Sequence, residues 1–168
     1  VIDISDPASP ALAGSCDTPD YARGVYISGT YAYVADYTSG LQVIDISDPA
    51  SPAFVGSCDT PGYALGVYIS GTCAYVADGY SGLQVINVSD PTSPALVGSC
   101  DTPGEARVVY ISGTYAYVAD YSSGLQVIDI SDPTSPAFVG SYDTPGSARD
   151  VYVSGTYAYV ADDASGLQ

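Results

Sequence analysis

Val43-Ile44-Asp45-Ile46-Ser47-Asp48-Pro49 decides how the whole chain is read, because the chain writes this stretch four times. The same seven residues begin at Val1 and at Val127, and a close variant, Val85-Ile86-Asn87-Val88-Ser89-Asp90-Pro91, stands between them. The starts are 42 residues apart each time, so four units account for all 168 residues without insertion or deletion. The units beginning at Val43 and Val85 differ at only 10 of their 42 positions. A fixed period of this length means one supersecondary unit per copy, each burying its apolar faces on its neighbours. Copies this alike imply recent duplication or design. Residues 1–168 are expected to be a single repeat domain, with units beginning at Val1, Val43, Val85 and Val127.

Working outward from that stretch, Leu41 to Ser47 reads as a strand, apolar on both faces except at Gln42 and Asp45, as suits burial between two sheets. Upstream, Ala22 to Ile27 and Tyr31 to Asp36 are rich in β-branched and aromatic residues and read as two more strands, joined by the turn Ser28-Gly29-Thr30. Downstream, Asp48-Pro49-Ala50-Ser51-Pro52 cannot be a strand, because its prolines remove hydrogen-bond donors. Ala53 to Cys58 is a short fourth strand. Four short strands per unit, with no useful 3.6-residue period, predict an all-β chain folded as a β-propeller with four four-stranded antiparallel blades. The sequence ends Gly166-Leu167-Gln168 in phase with Val1-Ile2-Asp3, so the third strand of one blade is divided between the two ends. Each end then exposes an unpaired edge. The favoured resolution is a homodimer, two chains making an eight-bladed ring under two-fold symmetry. A four-bladed ring closed on its own tail and a segment of a longer propeller are the alternatives. With no Met anywhere, Val1 reads as the start of a mature product or of an excised or engineered piece.

Gly40-Leu41-Gln42-Val43-Ile44-Asp45-Ile46-Ser47-Asp48-Pro49, preceded by Tyr31-Ala32-Tyr33-Val34-Ala35-Asp36, resembles the LVIVD-repeat propellers, and the resemblance recurs in every unit. It implies a propeller fold, a scaffold or interaction role, and an extracellular or cell-surface location in a prokaryote. It implies no particular activity.

Charge narrows the function classes. The chain has 19 acidic and 3 basic residues and a net charge of −16, which excludes an electrostatic nucleic-acid binder and disfavours anionic lipid. At 46% hydrophobic residues it can still bury a core, so the acids form a solvated surface; adaptation to high salt is one reading of them. No apolar run is long enough for a membrane helix. His and Lys are absent, which removes the usual bases near neutral pH, and the acids repeat in every unit as architecture does. The chain is expected not to be an enzyme, with no catalytic residue, no metal and no cofactor. Asp36 and its copies lack the alternating oxygens of a calcium loop and are expected to bond turn backbone. Asp3, Asp45 and Asp129 become Asn87 in one unit, which points to a hydrogen bond rather than a charge. Cys16, Cys58, Cys73 and Cys100 read as four buried thiols without a disulfide.

Candidate binding residues come from the positions where units differ. Arg23, Arg107 and Arg149 share one position, with Leu65 in the remaining unit, and should converge near a channel mouth. They can take a carboxylate or phosphate, or they can pair with Glu105, Asp150 or the Asp36 set. Tyr21, Tyr63, Glu105 and Ser147 share a second variable position; Tyr37, Gly79, Tyr121 and Asp163 share a third, followed by Thr38, Tyr80, Ser122 and Ala164. These lie in connections on one rim of the blades, whereas the Ser-Gly-Thr and Ser-Asp-Pro turns of the other rim hardly change. Variation gathered on one rim suits a binding face for protein, glycan or a small anion, and loop drift would look the same. Tyr21, Tyr37, Tyr63, Tyr80 and Tyr121 could stack on sugars. The tyrosines at 26, 68, 110 and 152 and at 33, 75, 117 and 159 recur within strands and are expected between blades.

Overall fold

A computed structural model describes residues 1–168. It contains three complete antiparallel four-stranded blades. The first consists of β3 (Gly24–Ser28), β4 (Tyr31–Ala35), β5 (Leu41–Asp45) and β6 (Ala53–Cys58). The second consists of β7 (Gly66–Ser70), β8 (Cys73–Ala77), β9 (Leu83–Asn87) and β10 (Ala95–Cys100). The third consists of β11 (Val108–Ser112), β12 (Tyr115–Ala119), β13 (Leu125–Asp129) and β14 (Ala137–Tyr142). The fourth blade is divided. Its inner half is β15 (Asp150–Ser154) and β16 (Tyr157–Ala161), and an outer half, β1 (Ile2–Asp3) with β2 (Ala11–Leu12), lies at the other end of the chain. The only helical turn is a 3-10 turn at Asp163–Ser165.

The strands sit where the pattern put them, shifted by one or two residues at their ends: the first begins at Gly24 rather than Ala22, and the second stops at Ala35 rather than Asp36. Ser28 belongs to β3, and Gly29 (φ 59°) alone makes the left-handed turn that an L side chain would strain. The third strand stops at Asp45, because the Asp45 carboxylate accepts the Ser47 amide at 2.8 Å and turns the chain toward its prolines. Asp3, Asp129 and Asn87 do the same for Ser5, Ser131 and Ser89. The Asn therefore works as expected, since the bond needs an acceptor oxygen and not a charge.

Alternation along the strands gives each sheet two apolar faces, and the core lies between sheets. Tyr33, Leu41 and Val43 of the first blade pack against Ile69, Val76 and Ile86 of the second. Tyr75, Leu83 and Val85 then meet Val109, Val118 and Ile128 of the third. Along the inner strands Tyr26, Tyr68, Tyr110 and Tyr152 form one continuous row, with ring centroids 4.7, 5.3 and 4.8 Å apart. Burial pushes the Tyr68 phenol up to about 12. Of the four thiols, which are all free, Cys73 is buried, but Cys16, Cys58 and Cys100 are only half-buried. Cys58 and Cys100 end outer strands and Cys16 follows one, where no further strand covers them, which corrects the expectation of four buried thiols.

A buried aspartate ties each blade to the connection entering it. Asp36, Asp78, Asp120 and Asp162 accept the hydroxyls of Thr18, Thr60, Thr102 and Thr144 at 2.6–2.7 Å. Their second oxygens accept the amides of Asp20, Gly62, Gly104 and Gly146. These carboxylates do not bond the arginines, and they do not close their own turns as expected: one oxygen takes a threonine hydroxyl and the other an amide, both in the connection 16–18 residues upstream. Burial pushes Asp78 and Asp120 above the usual aspartate value, opposed by their threonine and glycine donors.

A candidate binding rim

The variable positions do lie on one rim, and backbone bonds hold them there. Tyr37, Gly79 and Tyr121, in the turn after the second strand, bridge to Ala64, Ala106 and Ala148 in the connection to the next blade. Each arginine comes directly before an innermost strand, where the amides of Arg23, Arg107 and Arg149 donate to Ala35, Ala119 and Ala161. This anchors the backbone and sends the side chains to the rim.

All three arginines line one cavity of about 380 Å³, together with Tyr37, Leu65, Glu105 and Val108. Arg107 pairs with Glu105 at 2.8 Å, and Arg149 pairs with Asp163 at 2.8 Å rather than with adjacent Asp150. The Asp150 carboxylate is occupied with the Val151 amide. The bond to Asp163 raises the affinity of Arg149 for its proton. Arg23 makes no ion pair and lies 5.5 and 5.2 Å from the ring centres of Tyr21 and Tyr37. Tyr121 lies between Arg107 and Arg149, at 4.6 and 4.7 Å. Cation–π attraction is worth about 0.5–1 kcal/mol per exposed pair.

Tyr37 (φ 52°), Tyr121 (φ 50°) and Asp163 (φ 48°) hold a left-handed conformation that Gly79 adopts freely in the second blade. Such a conformation costs a non-glycine residue about 1–2 kcal/mol, and local strain of this kind gathers at functional positions. Tyr63 stacks on Tyr37 with centroids 4.4 Å apart and planes 8° apart, and Tyr21 meets the same ring edge-on. Tyr80 is exposed on the rim and stands outside this group. The site thus unites Arg23, Arg107, Arg149, Glu105, Tyr21, Tyr37, Tyr63 and Tyr121.

The sequence did not mark Asp20 and named Asp163 only as a variable rim position. Asp163 had a readable signal, since it shares a repeat position with Tyr37 and Tyr121. Asp20, which accepts from the Thr38 amide and hydroxyl, stands where the other units have Gly62, Gly104 and Gly146. The Thr38 hydroxyl holds its carboxyl below the usual value. No group of three or more His, Cys, Asp or Glu gathers in metal-binding geometry.

Fold and rim define a repeat protein of β-propeller type. The chain belongs to the LVIVD repeat family, which matches residues 1–18, 19–60, 61–102, 103–144 and 145–168 in succession. The middle three matches coincide with whole blades and the outer two with the divided one. Among solved structures it is similar to the computationally designed Ika4 protein, at 6% identity, with 94% of each chain covered and a TM-score of 0.76. It is also similar to the computationally designed Ika8 protein, at 7% identity and a TM-score of 0.71, where 87% of this chain spans 44% of that one. At such identities the likeness is of fold alone. No curated protein matches the sequence. No helix is long and apolar enough to cross a membrane.

Proposed function

We propose that this chain is a non-enzymatic propeller scaffold whose copies close in pairs into an eight-bladed ring, displaying the variable rim as a binding face. What carries this reading is the match between its two half-blades. In the first blade Ala35, Tyr33, Ala32 and Tyr31 pair with Leu41, Val43, Ile44 and Asp45. In the C-terminal half-blade Ala161 already pairs with Leu167, the first step of the same register. Continued, that register pairs Tyr159, Ala158 and Tyr157 with Val1, Ile2 and Asp3 of a second copy. Within one chain no backbone hydrogen bond joins residues 1–14 to residues 145–168.

Close backbone approach at the glycines supports the same pairing. A Cβ on Gly14, Gly56 or Gly98 would lie 2.6, 2.6 or 2.3 Å from the carbonyl of Pro49, Pro91 or Pro133 one unit on, whereas a Cβ on Gly140 meets nothing within 4 Å. Pro7 of a second copy is the corresponding residue for Gly140. Gly40, Gly82 and Gly124 abut Cys58, Cys100 and Tyr142, and Gly166 is open, its counterpart being Cys16 of that copy. An apolar hollow of about 490 Å³ beside Val1, Ile2 and Ile4 is where the inserted inner strands would lie.

The absence of His and Lys and the use of the buried aspartates as clamps support a role without catalysis. A place outside the cell or on its surface follows the family resemblance. Rim binding of a glycan or small anion is the second reading, favoured by the gathering of the basic residues in one cavity.

Solution mass tests the ring. Light scattering should give about twice 17.1 kDa. Gly140→Leu should return the single-chain mass while leaving the fold intact, because its side chain is free in the single chain. A wild-type mass of 17.1 kDa, or a dimer unaffected by Gly140→Leu, would overturn the closure.

A further inference from the structure

The geometry points to the arginine-lined rim cavity as a site for a small aromatic monocarboxylate. This rests on the second reading above, that the variable rim binds ligand. A chain with 19 acidic residues places every one of its basic residues around a single cavity, which is where an anion meets least repulsion. Donor capacity is left over there. Arg23 has no ion pair, and the Arg107 Nε is buried without an acceptor even though Arg107 spends one terminal nitrogen on Glu105. A buried unpaired donor calls for a partner, and a guanidinium fork fits a planar carboxylate through two parallel bonds.

The remaining lining sets the class of ligand. Leu65, Val108 and Tyr37 give the cavity an apolar side, so the ligand needs an apolar body beside its charge. Tyr37 is already held flat against Tyr63 and in a strained backbone conformation, which fixes a ring edge at the cavity. A flat aromatic body suits such a wall. Glu105 lies in the lining and Asp163 is bonded to Arg149, so a second negative charge on the ligand would be opposed. One charge on a flat apolar frame satisfies the lining, and inorganic phosphate does not.

The chain has three arginines, and each gives one side-chain Nε–Hε signal in a ¹H–¹⁵N spectrum. Benzoate, titrated into the full chain, should move the Arg107 and Arg23 signals to saturation. Benzamide, its neutral counterpart, and inorganic phosphate should need at least about tenfold higher concentration. Arg107→Gln should weaken benzoate at least about tenfold while lowering the melting temperature by only about 2–4 °C, and Leu65→Arg should tighten it by adding a fourth arginine. Unmoved arginine signals, or benzamide or phosphate equal to benzoate, would overturn the assignment. If benzoate moves only backbone amides around Tyr21, Tyr63 or Tyr80, the cavity assignment falls and rim binding stands. Shifts confined to the Ser-Gly-Thr rim would remove both. The lining residues all come from one chain, so the same titration in the Gly140→Leu variant, designed to block pairing, separates this assignment from ring closure.

Discussion

The inner strands of the third blade and of the first are built from nearly the same residues, yet one lies in the core and the other on an open surface. Val109 and Ile111 on β11 are 3% and 6% exposed, while their counterparts Val25 and Ile27 on β3 are 65% and 53% exposed. Tyr75 is 4% exposed and Tyr159 is 43% exposed. Local sequence does not separate these pairs; the neighbour does. The second blade covers β11, while only an outer half-blade precedes β3. That half-blade is nonetheless seated as a full blade would be, with Thr18 bonded to Asp36 and Gly14 against Pro49. A slot therefore stands between β1 and β3, and the proposed closure fills it with the C-terminal half-blade of a second copy.

Glycine substitutions should break this comparison most sharply. Gly98→Leu puts a side chain against the backbone of Pro133 and Thr134 and should cost more than about 3 kcal/mol, at or beyond the upper end for overpacked cores. Gly140→Leu, at the same repeat position, should leave the single chain within about 0.5 kcal/mol, as open surface sites do. Urea denaturation of both variants reads the difference, and equal losses would mean that Gly140 is already covered within one chain.

The next contrast is Ile111→Ala against Ile27→Ala. The buried isoleucine should cost about 2–3 kcal/mol through lost transfer energy and a residual cavity. In the Gly140→Leu background, designed to block the proposed pairing, Ile27→Ala should cost less than about 0.5 kcal/mol. In the otherwise wild-type chain the same change should lower dimer stability, read as a higher dissociation midpoint in dilution experiments.

Smaller effects belong to the rim. Tyr121→Ala keeps the left-handed strain and loses both arginine contacts, so it should cost about 1 kcal/mol. Tyr121→Gly loses the same contacts but relieves strain of similar size, and should stay within about 0.5 kcal/mol of wild type. Equal losses for Ala and Gly would show that the φ of 50° carries no strain.

Proton linkage is smallest. Asp78 and Asp120 have raised values through burial, so they favour the folded chain most when protonated, and that contribution falls as pH rises through their folded values. Asp45 and Asp129 are lowered by the Ser47 and Ser131 amides, so their contribution is present above the ordinary value of 3.8 and is lost as pH falls below it. Carboxyl carbon NMR titration should find the first pair midway above 3.8 and the second pair below it.

Much of the fold was legible because it is local. Strand positions followed from Val, Ile and Tyr runs cut by Gly and Pro, and the divided strand followed from the phase of Leu167-Gln168 with Val1. The gathering of Arg23, Arg107 and Arg149 was legible because equivalent positions in stacked units must lie on one circle. Pairing choices were not. Arg149 chose Asp163 over adjacent Asp150 because the Asp150 carboxylate accepts the Val151 amide, while Asp163, in the turn after the neighbouring strand, comes within 2.8 Å of the guanidinium. The half-exposed thiols were missed because period-2 alternation distinguishes the faces of a strand but not an inner strand from an outer one.

By itself the sequence determined the unit: its 42-residue period, its four strands, its turn chemistry and the rim on which copies differ. These are set by backbone sterics and by side-chain patterning within about ten residues, which every copy repeats. Only the tertiary structure decided which of four equivalent faces are buried, which donors are left over at the arginine cavity, and which edges stand open. Burial and pairing depend on what lies one blade away, and repeats of the same sequence cannot encode that difference.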